Sequence, residues 1–313
     1  MTDTVSQRTS PWSAIASGLR SYWVDAAPGE RLGYSVGGLL MASGLFHLGV
    51  FLVDGGAWQG PLSWRKPVTF GLSFGLKLVT ITWLTTFLRL SGRWRCWLLT
   101  VFAIVNIVEV GLVTMQAWRG VPSHFNDTTS FDSAVFVAMG VSVAVIAAVV
   151  VAATALAFLA PATTPSMSWA IRAGLAALLV SQAVGGLMIA EGFEEVRAGD
   201  QAGAYSAGAM LKPAHAATLH AVQVLPILAW SLSFVAWTER ARLRLVGAGV
   251  AGYLLLTGSV VAQTLADEPP LTTGLPAGGL LGAGALLLFG AVAAALLDLA
   301  AGPGARGLHR VPT

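Results

Sequence analysis

Lys77 and Glu109 each interrupt a long apolar run. An ionisable group at the centre of a membrane helix costs about 2.5 to 3.5 kcal/mol for Asp, Lys or Arg, so such residues are functional candidates by default. Counted from the ends of their runs, both lie roughly 14 to 15 Å below the same membrane face at 1.5 Å per residue. Matched depth on consecutive helices permits an ion pair that fixes helix register, or a relay for protons or a charged substrate. A third reading is a lysine held neutral by burial without a partner.

His47 and His220 are also matched in depth, roughly 9 Å below that face. Two imidazoles at one level, on helices far apart in the chain, can serve as axial ligands of a haem b or as ligands of a metal ion. The alternative is a lone hydrogen-bonding histidine on each packed helix face. Gln223, about one turn from His220, is placed to orient the imidazole or a ligand. His215 and His220 are separated by a turn of about 140° and do not share a face. His215 is therefore expected at the membrane surface, near the acidic segment that begins at Glu191. The polar segment 119–132 contributes His124, Asn126, Asp127 and Asp132. Its Phe125 and Phe131 point to a segment folded back as a lid, and Asp132 is placed to cap the next helix. His124, Glu191 and His215 thus join Lys77 and Glu109 as candidate ligand or proton-relay residues.

Helices must position these groups, because backbone polar atoms in lipid have to be satisfied internally. The expected fold is all-α and integral to the membrane. Eight apolar stretches are long enough to cross about 30 Å of hydrocarbon: 32–53, 67–88, 96–118, 133–160, 169–190, 214–237, 245–266 and 277–297. Of 313 residues, 55% are hydrophobic and only 11% charged, where a soluble domain carries about a quarter charged. The net charge of +3 comes from short basic clusters between apolar runs rather than from one patch, which excludes a nucleic-acid surface. The lipid bilayer is the expected partner, with a small-molecule or quinone ligand.

Those clusters give the orientation. With the N-terminus inside, twelve Lys and Arg residues fall in cytoplasmic segments, Arg93, Arg95, Arg240 and Arg242 among them, and five fall outside. By the positive-inside rule this predicts a multi-pass protein of the cytoplasmic membrane with both termini cytoplasmic. The first 31 residues contain Asp3, Arg8, Arg20 and Asp25 and no apolar run, so the first span is expected to direct insertion. Ser10 and Pro11 predict a helix start, with Trp12, Ile15, Leu19 and Trp23 spaced for an interfacial amphipathic helix. The single cysteine, Cys96, implies no redox chemistry. No phosphate loop, nucleophile elbow or zinc-binding helix motif occurs.

The chain also reads as a tandem duplication. Gly37-Gly38-Leu39-Leu40 is echoed by Gly185-Gly186-Leu187-Met188, Lys66-Pro67 by Lys212-Pro213, and Gln116 by Gln263, at nearly constant offset. Two four-helix units, 32–160 and 161–297, follow a cytoplasmic segment 1–31 and precede a tail 298–313. An even number of spans per unit makes the repeats parallel, with a cleft between them. Phe74 then corresponds to His220, Lys77 to Gln223 and Glu109 to Leu256, so the polar site is asymmetric.

Gln116-Ala-Trp-Arg-Gly-Val-Pro-Ser-His-Phe-Asn126 and Leu219-His-Ala-Val-Gln-Val-Leu-Pro226 resemble segments of uncharacterised bacterial membrane proteins. More remotely, two parallel four-helix units with histidines toward the outer side are similar to haem A synthase. That resemblance implies a histidine pair in each half, on its second and fourth helices, beside a glutamate. His220 stands on such a helix, Phe74 is found on the second span, and the fourth and eighth spans hold no histidine.

The leading expectation is an outer-half pocket lined by His47, Lys77, Glu109, His220 and Gln223 that holds a haem or another redox cofactor, for electron transfer or quinol-linked oxidoreduction. The alternatives are a small-solute or proton-coupled transporter or sensor built on Lys77 and Glu109, and a structural subunit or assembly factor of a larger membrane complex.

Overall fold

A computed structural model describes residues 10–56, 58–266, 268, 274 and 277–301. The start of the N-terminal segment and most of the tail, including residues 302–313, lie outside the described residues. Eleven α-helices and no strand are found among them: α1 (Pro11–Val24), α2 (Pro28–Asp54), α3 (Arg65–Thr85), α4 (Gly92–Trp118), α5 (Ser130–Leu159), α6 (Pro165–Arg197), α7 (Gln201–Ser206), α8 (Lys212–Leu219), α9 (Ala221–Leu232), α10 (Glu239–Leu265) and α11 (Ala277–Ala301).

Seven of these, α2 to α6, α10 and α11, are long and apolar enough to cross a membrane. Large apolar side chains such as Leu39, Phe46, Val137, Phe158, Leu286 and Phe289 are exposed around the bundle, as lipid contact requires. The expected unbroken sixth span over 214–237 is instead two helices, α8 and α9, which meet at His220. Pro226 lies inside α9 and has no N–H to donate one turn back. The amides of Gln223 and Val224 both bond to the His220 carbonyl, at 3.1 Å each, so the chain passes the break in one tightened turn.

Sequence-local signals set the helix starts. Ser10 Oγ accepts the Ser13 amide at 3.2 Å, and Thr238 and Thr129 cap α10 and α5 in the same manner. Pro11, Pro28 and Pro165 open α1, α2 and α6, where a missing amide hydrogen costs nothing. The Glu30 carboxylate accepts the Ala27 amide at 3.1 Å and so satisfies an otherwise orphaned donor.

The end of the bundle where α2, α4, α6 and α10 begin is here the proximal end; α3, α5, α8 and α11 begin at the distal end. Helices α2 to α5 pack as one group and α6 to α11 as a second, with α5 against α6. In the first group α2 and α3 meet at glycines: a Cβ on Gly71 would lie 2.7 Å from Gly44 Cα, and one on Gly75 2.5 Å from Gly37 O. In the second, α10 and α11 meet likewise, a Cβ on Gly284 falling 2.8 Å from Gly252 O. Small residues let backbones approach where lipid offers no hydrophobic drive to associate.

One large apolar core runs through both groups, with two smaller clusters around Val113 and Met139 and around Val184 and Leu211. At the proximal end α1 lies across them, its Tyr22 ring 6.2 Å from Trp83 and 6.4 Å from Trp230. Trp12, Leu19 and Trp23 on the same helix remain exposed, as expected of an interfacial helix. The linker after α5 is tied to the end of α3 by Arg89 N to Ala160 O and Ala162 N to Phe87 O, both 3.0 Å.

Candidate functional site

Lys77 on α3 and Glu109 on α4 are both buried. Their helices pack together, and each is the charged group that acts on the other. Even so, no ion pair within 4.0 Å joins them among the described residues. The Lys77 ammonium instead sits 3.8 Å from the centre of the Phe74 ring, with Phe102 at 5.9 Å, a cation–π contact that partly compensates its lost hydration. Glu109 Oε2 is buried with no hydrogen-bond partner. One turn earlier, Asn106 Nδ2 donates to Phe102 O at 2.6 Å while its Oδ1 is likewise buried and unpartnered. Two acceptor oxygens on one face of α4 thus accompany one ammonium on α3. Asn106 was not singled out from sequence, although its position three residues before Glu109 was the signal.

His215 stands on α8, in the other half of the molecule, and is held against α6. It is not at the surface beside the acidic segment, as expected, but half-buried between α8 and α6. Its Nδ1 donates to Ser181 O at 2.8 Å, and Ser181 Oγ donates to His215 O at 3.0 Å. Gly185, one turn after Ser181 on α6, faces the imidazole. Ser181 was invisible to sequence reasoning because it meets His215 only through helix packing.

His47 is engaged elsewhere. It is buried, and Nδ1 donates to Ser43 O at 2.7 Å while Nε2 accepts from Trp118 Nε1 at 3.0 Å. Trp64 stacks at 6.0 Å, and its own Nε1 donates to Asp54 at 2.8 Å. With one ring nitrogen donating and the other accepting, ligation of a metal or haem by His47 would have to break one of these bonds. His220 is exposed at the α8–α9 break. Gln223 does not orient its imidazole: the amide nitrogen donates to the carbonyls of His220, at 3.1 Å, and Leu219, at 3.3 Å. Among the described residues no group of three or more His, Cys, Asp or Glu is arranged to hold a metal ion.

The segment after α4 does fold back over the distal end. Phe125 is buried with a positive φ of 53°, a strained conformation for an aromatic residue. Its ring lies against Gly192 of α6, where any Cβ would overlap it, and packs with Phe136 at 5.1 Å and Phe193 at 5.6 Å. Gln201 Nε2 donates to the Phe125 carbonyl. His124 accompanies it, bonded to Ser123 at 2.9 Å and packed on Phe70 at 5.7 Å and on Phe136. Burial, with Lys66 nearby, lowers the His124 pKa to about 3, so the ring is neutral at physiological pH.

Asp132 is not the cap of α5, which is Thr129, but an acid of the helix's first turn. Besides accepting from Thr129 Oγ1 at 2.6 Å, it accepts from Gln116 at 2.9 Å and Arg119 at 2.5 Å. Glu191 is exposed on α6 and lies outside this network. Cys96 is free and exposed.

At the proximal end sequence reasoning missed a buried pair, Glu30 with Arg95, at 3.2 Å. Glu30 had been assigned to the N-terminal segment and Arg95 to a topology signal. Comparison of the chain with protein-family models, curated proteins and solved structures finds no match in any of the three.

Proposed function

We propose that the protein is a proton-coupled carrier or sensor of a small polar solute, with Lys77, Glu109 and Asn106 as its binding groups and His215 as the link to the second half. The carrying observation is that Lys77 and Glu109 are buried neighbours yet form no ion pair, while Glu109 Oε2 and Asn106 Oδ1 lack partners. A pair kept only for architecture closes directly, as Glu30 and Arg95 do at 3.2 Å. Buried acceptors left open cost about 1 to 3 kcal/mol each, a cost that a proton or a solute donor would relieve. This reading fits better than haem ligation by His47 and His220, since both His47 nitrogens are already used.

The reading includes a topology of eight crossings in two parallel four-helix units. Lys212 to Leu232 would form the sixth crossing, about 30 Å at 1.5 Å per residue. Matched corners support the duplication. In each half a carboxylate accepts an amide at the start of the first helix: Glu30 takes Ala27 N at 3.1 Å and Glu239 takes Ser166 N at 2.7 Å. Each carboxylate also meets an arginine of the third helix, though differently: Glu30 pairs across helices with Arg95 at 3.2 Å, whereas Glu239 stands on the third helix itself, three residues before Arg242 at 3.9 Å. Each arginine also donates to a preceding carbonyl, Leu90 at 3.2 Å and Val235 at 2.7 Å. The ends of α4 and α10 agree too, Gln116 O accepting Val121 N at 3.1 Å and Gln263 O accepting Glu268 N at 2.9 Å. The basic clusters support a distal end outside a cytoplasmic membrane, with both termini inside.

Proteoliposomes loaded with a pH-sensitive dye test the function. The native protein should dissipate an imposed pH gradient, alone or with added small polar solutes, and Glu109→Gln and Lys77→Met should not. Equal flux in all three proteins would rule the reading out.

A further inference from the structure

Arg65 and Lys66 begin α3, and Lys212 begins α8. These helices belong to different halves, yet the charges acting on Lys66 are Arg65 and Lys212, so three cations converge at the distal end. None of the three forms a salt bridge with a carboxylate among the described residues. Both helices also start without a side-chain cap, which leaves positive dipole ends beside the cations.

A separate observation points to a ligand. Ser63 is only 5% exposed, and its Oγ has no hydrogen-bond partner. It lines, with Lys66 and Ser123, a cavity of about 10 Å³, room for roughly one oxygen atom. Arg65 Nε is also buried and unpartnered. A buried hydroxyl in the cavity and, two residues on in the chain, a buried guanidinium nitrogen are both donors without acceptors.

We propose that this junction binds a phosphate-type oxyanion, one oxygen entering the cavity to accept from Ser63 and Lys66 and the others meeting Arg65 and Lys212. A tetrahedral anion with several acceptor oxygens suits three cations and a hydroxyl better than a carboxylate does. The source is either the phosphodiester of an anionic lipid headgroup or a free phosphate. The site is independent of the Lys77 and Glu109 group.

The test uses the purified full chain, stripped of lipid in non-ionic detergent and titrated calorimetrically with inorganic phosphate. In parallel, bilayer discs of phosphatidylcholine with or without phosphatidylglycerol are used, and retained lipid is read by native mass spectrometry. Saturable phosphate binding identifies a free anion; retention of phosphatidylglycerol alone identifies a headgroup. In either case Lys66→Gln and Lys212→Gln should weaken binding about tenfold or more, and Ser63→Ala about threefold. Arg197→Gln, which removes an exposed cation at the end of α6, should change nothing. The proposal is overturned if neither ligand binds, if the mild Ser63→Ala and both lysine variants bind as the native protein does, or if Arg197→Gln weakens binding as much as they do.

Discussion

The pair α2–α3 and the pair α6–α8 are held together in opposite ways. The first is closed by glycines at backbone contact, with Gly37 and Gly44 of α2 against Gly75 and Gly71 of α3. The second is closed by polar groups, and its helix is broken. Carbonyls around the break are taken by side chains: His215 by Ser181, Ala217 by Tyr253 at 2.7 Å, and Leu219 and His220 by Gln223. Close backbone packing has one arrangement and little room to deviate. A helix whose carbonyls bond to side chains can shift without exposing them to lipid. On the carrier reading proposed above, the first half is the frame and α8 the element that moves.

Six substitutions would break or sharpen this contrast. Arg95→Leu leaves the Glu30 carboxylate buried and should cost about 3 to 5 kcal/mol, whereas Arg242→Leu, removing a looser pair at 3.9 Å, should cost about 1 kcal/mol or less. Chemical unfolding in mixed micelles would measure both, and equal losses would show the halves to be alike.

Gly37→Ala places a Cβ 2.6 Å from Val79 and 2.9 Å from Gly75 O, while Gly185→Ala meets only the His215 ring, at 3.3 Å. The first should lose about 1 to 3 kcal/mol and the second well under that, as a difference in thermal midpoint. Ser181→Ala removes the clamp on His215 and should cost about 1 kcal/mol. Its amide exchange should quicken in α8 and not in α3; faster exchange in both would remove the distinction.

The smallest effect at neutral pH belongs to His124. Its folded pKa of about 3 lies below the ordinary value of about 6.5. Between those values the unfolded chain binds the extra proton, so this contribution is fully present above about pH 6.5 and is lost as pH falls toward 3. His124→Gln should flatten the decline in thermal midpoint over that window.

Most helices were legible because apolar runs of membrane length leave the chain no other solution. The break at His220 was not read: the bond that Pro226 removes is to the carbonyl of Val222, within α9, and so does not mark the break itself. The matched depths of Lys77 and Glu109 put them on helices that pack together, where both are buried. The same depth argument paired His47 with His220, and there it failed to bring them together. Depth says nothing of direction around a helix, and His47 turns toward Ser43 and Trp118. Ser181 with His215 and Glu30 with Arg95 depend on packing between distant segments, which one-dimensional spacing does not encode. Phe125 against Gly192 was half legible: the aromatic residues predicted a folded segment, while the glycine that receives the ring gave no sign of its partner.

Infrared difference spectroscopy of the Glu109 carboxyl, with Glu109→Gln as reference, tests the central claim most directly. The account predicts a carboxyl band that responds to the pH of the medium and shifts in Lys77→Met, as a proton-exchanging group requires. A carboxylate that stays ionised throughout and is indifferent to Lys77 would make the pair architecture, and contradict it.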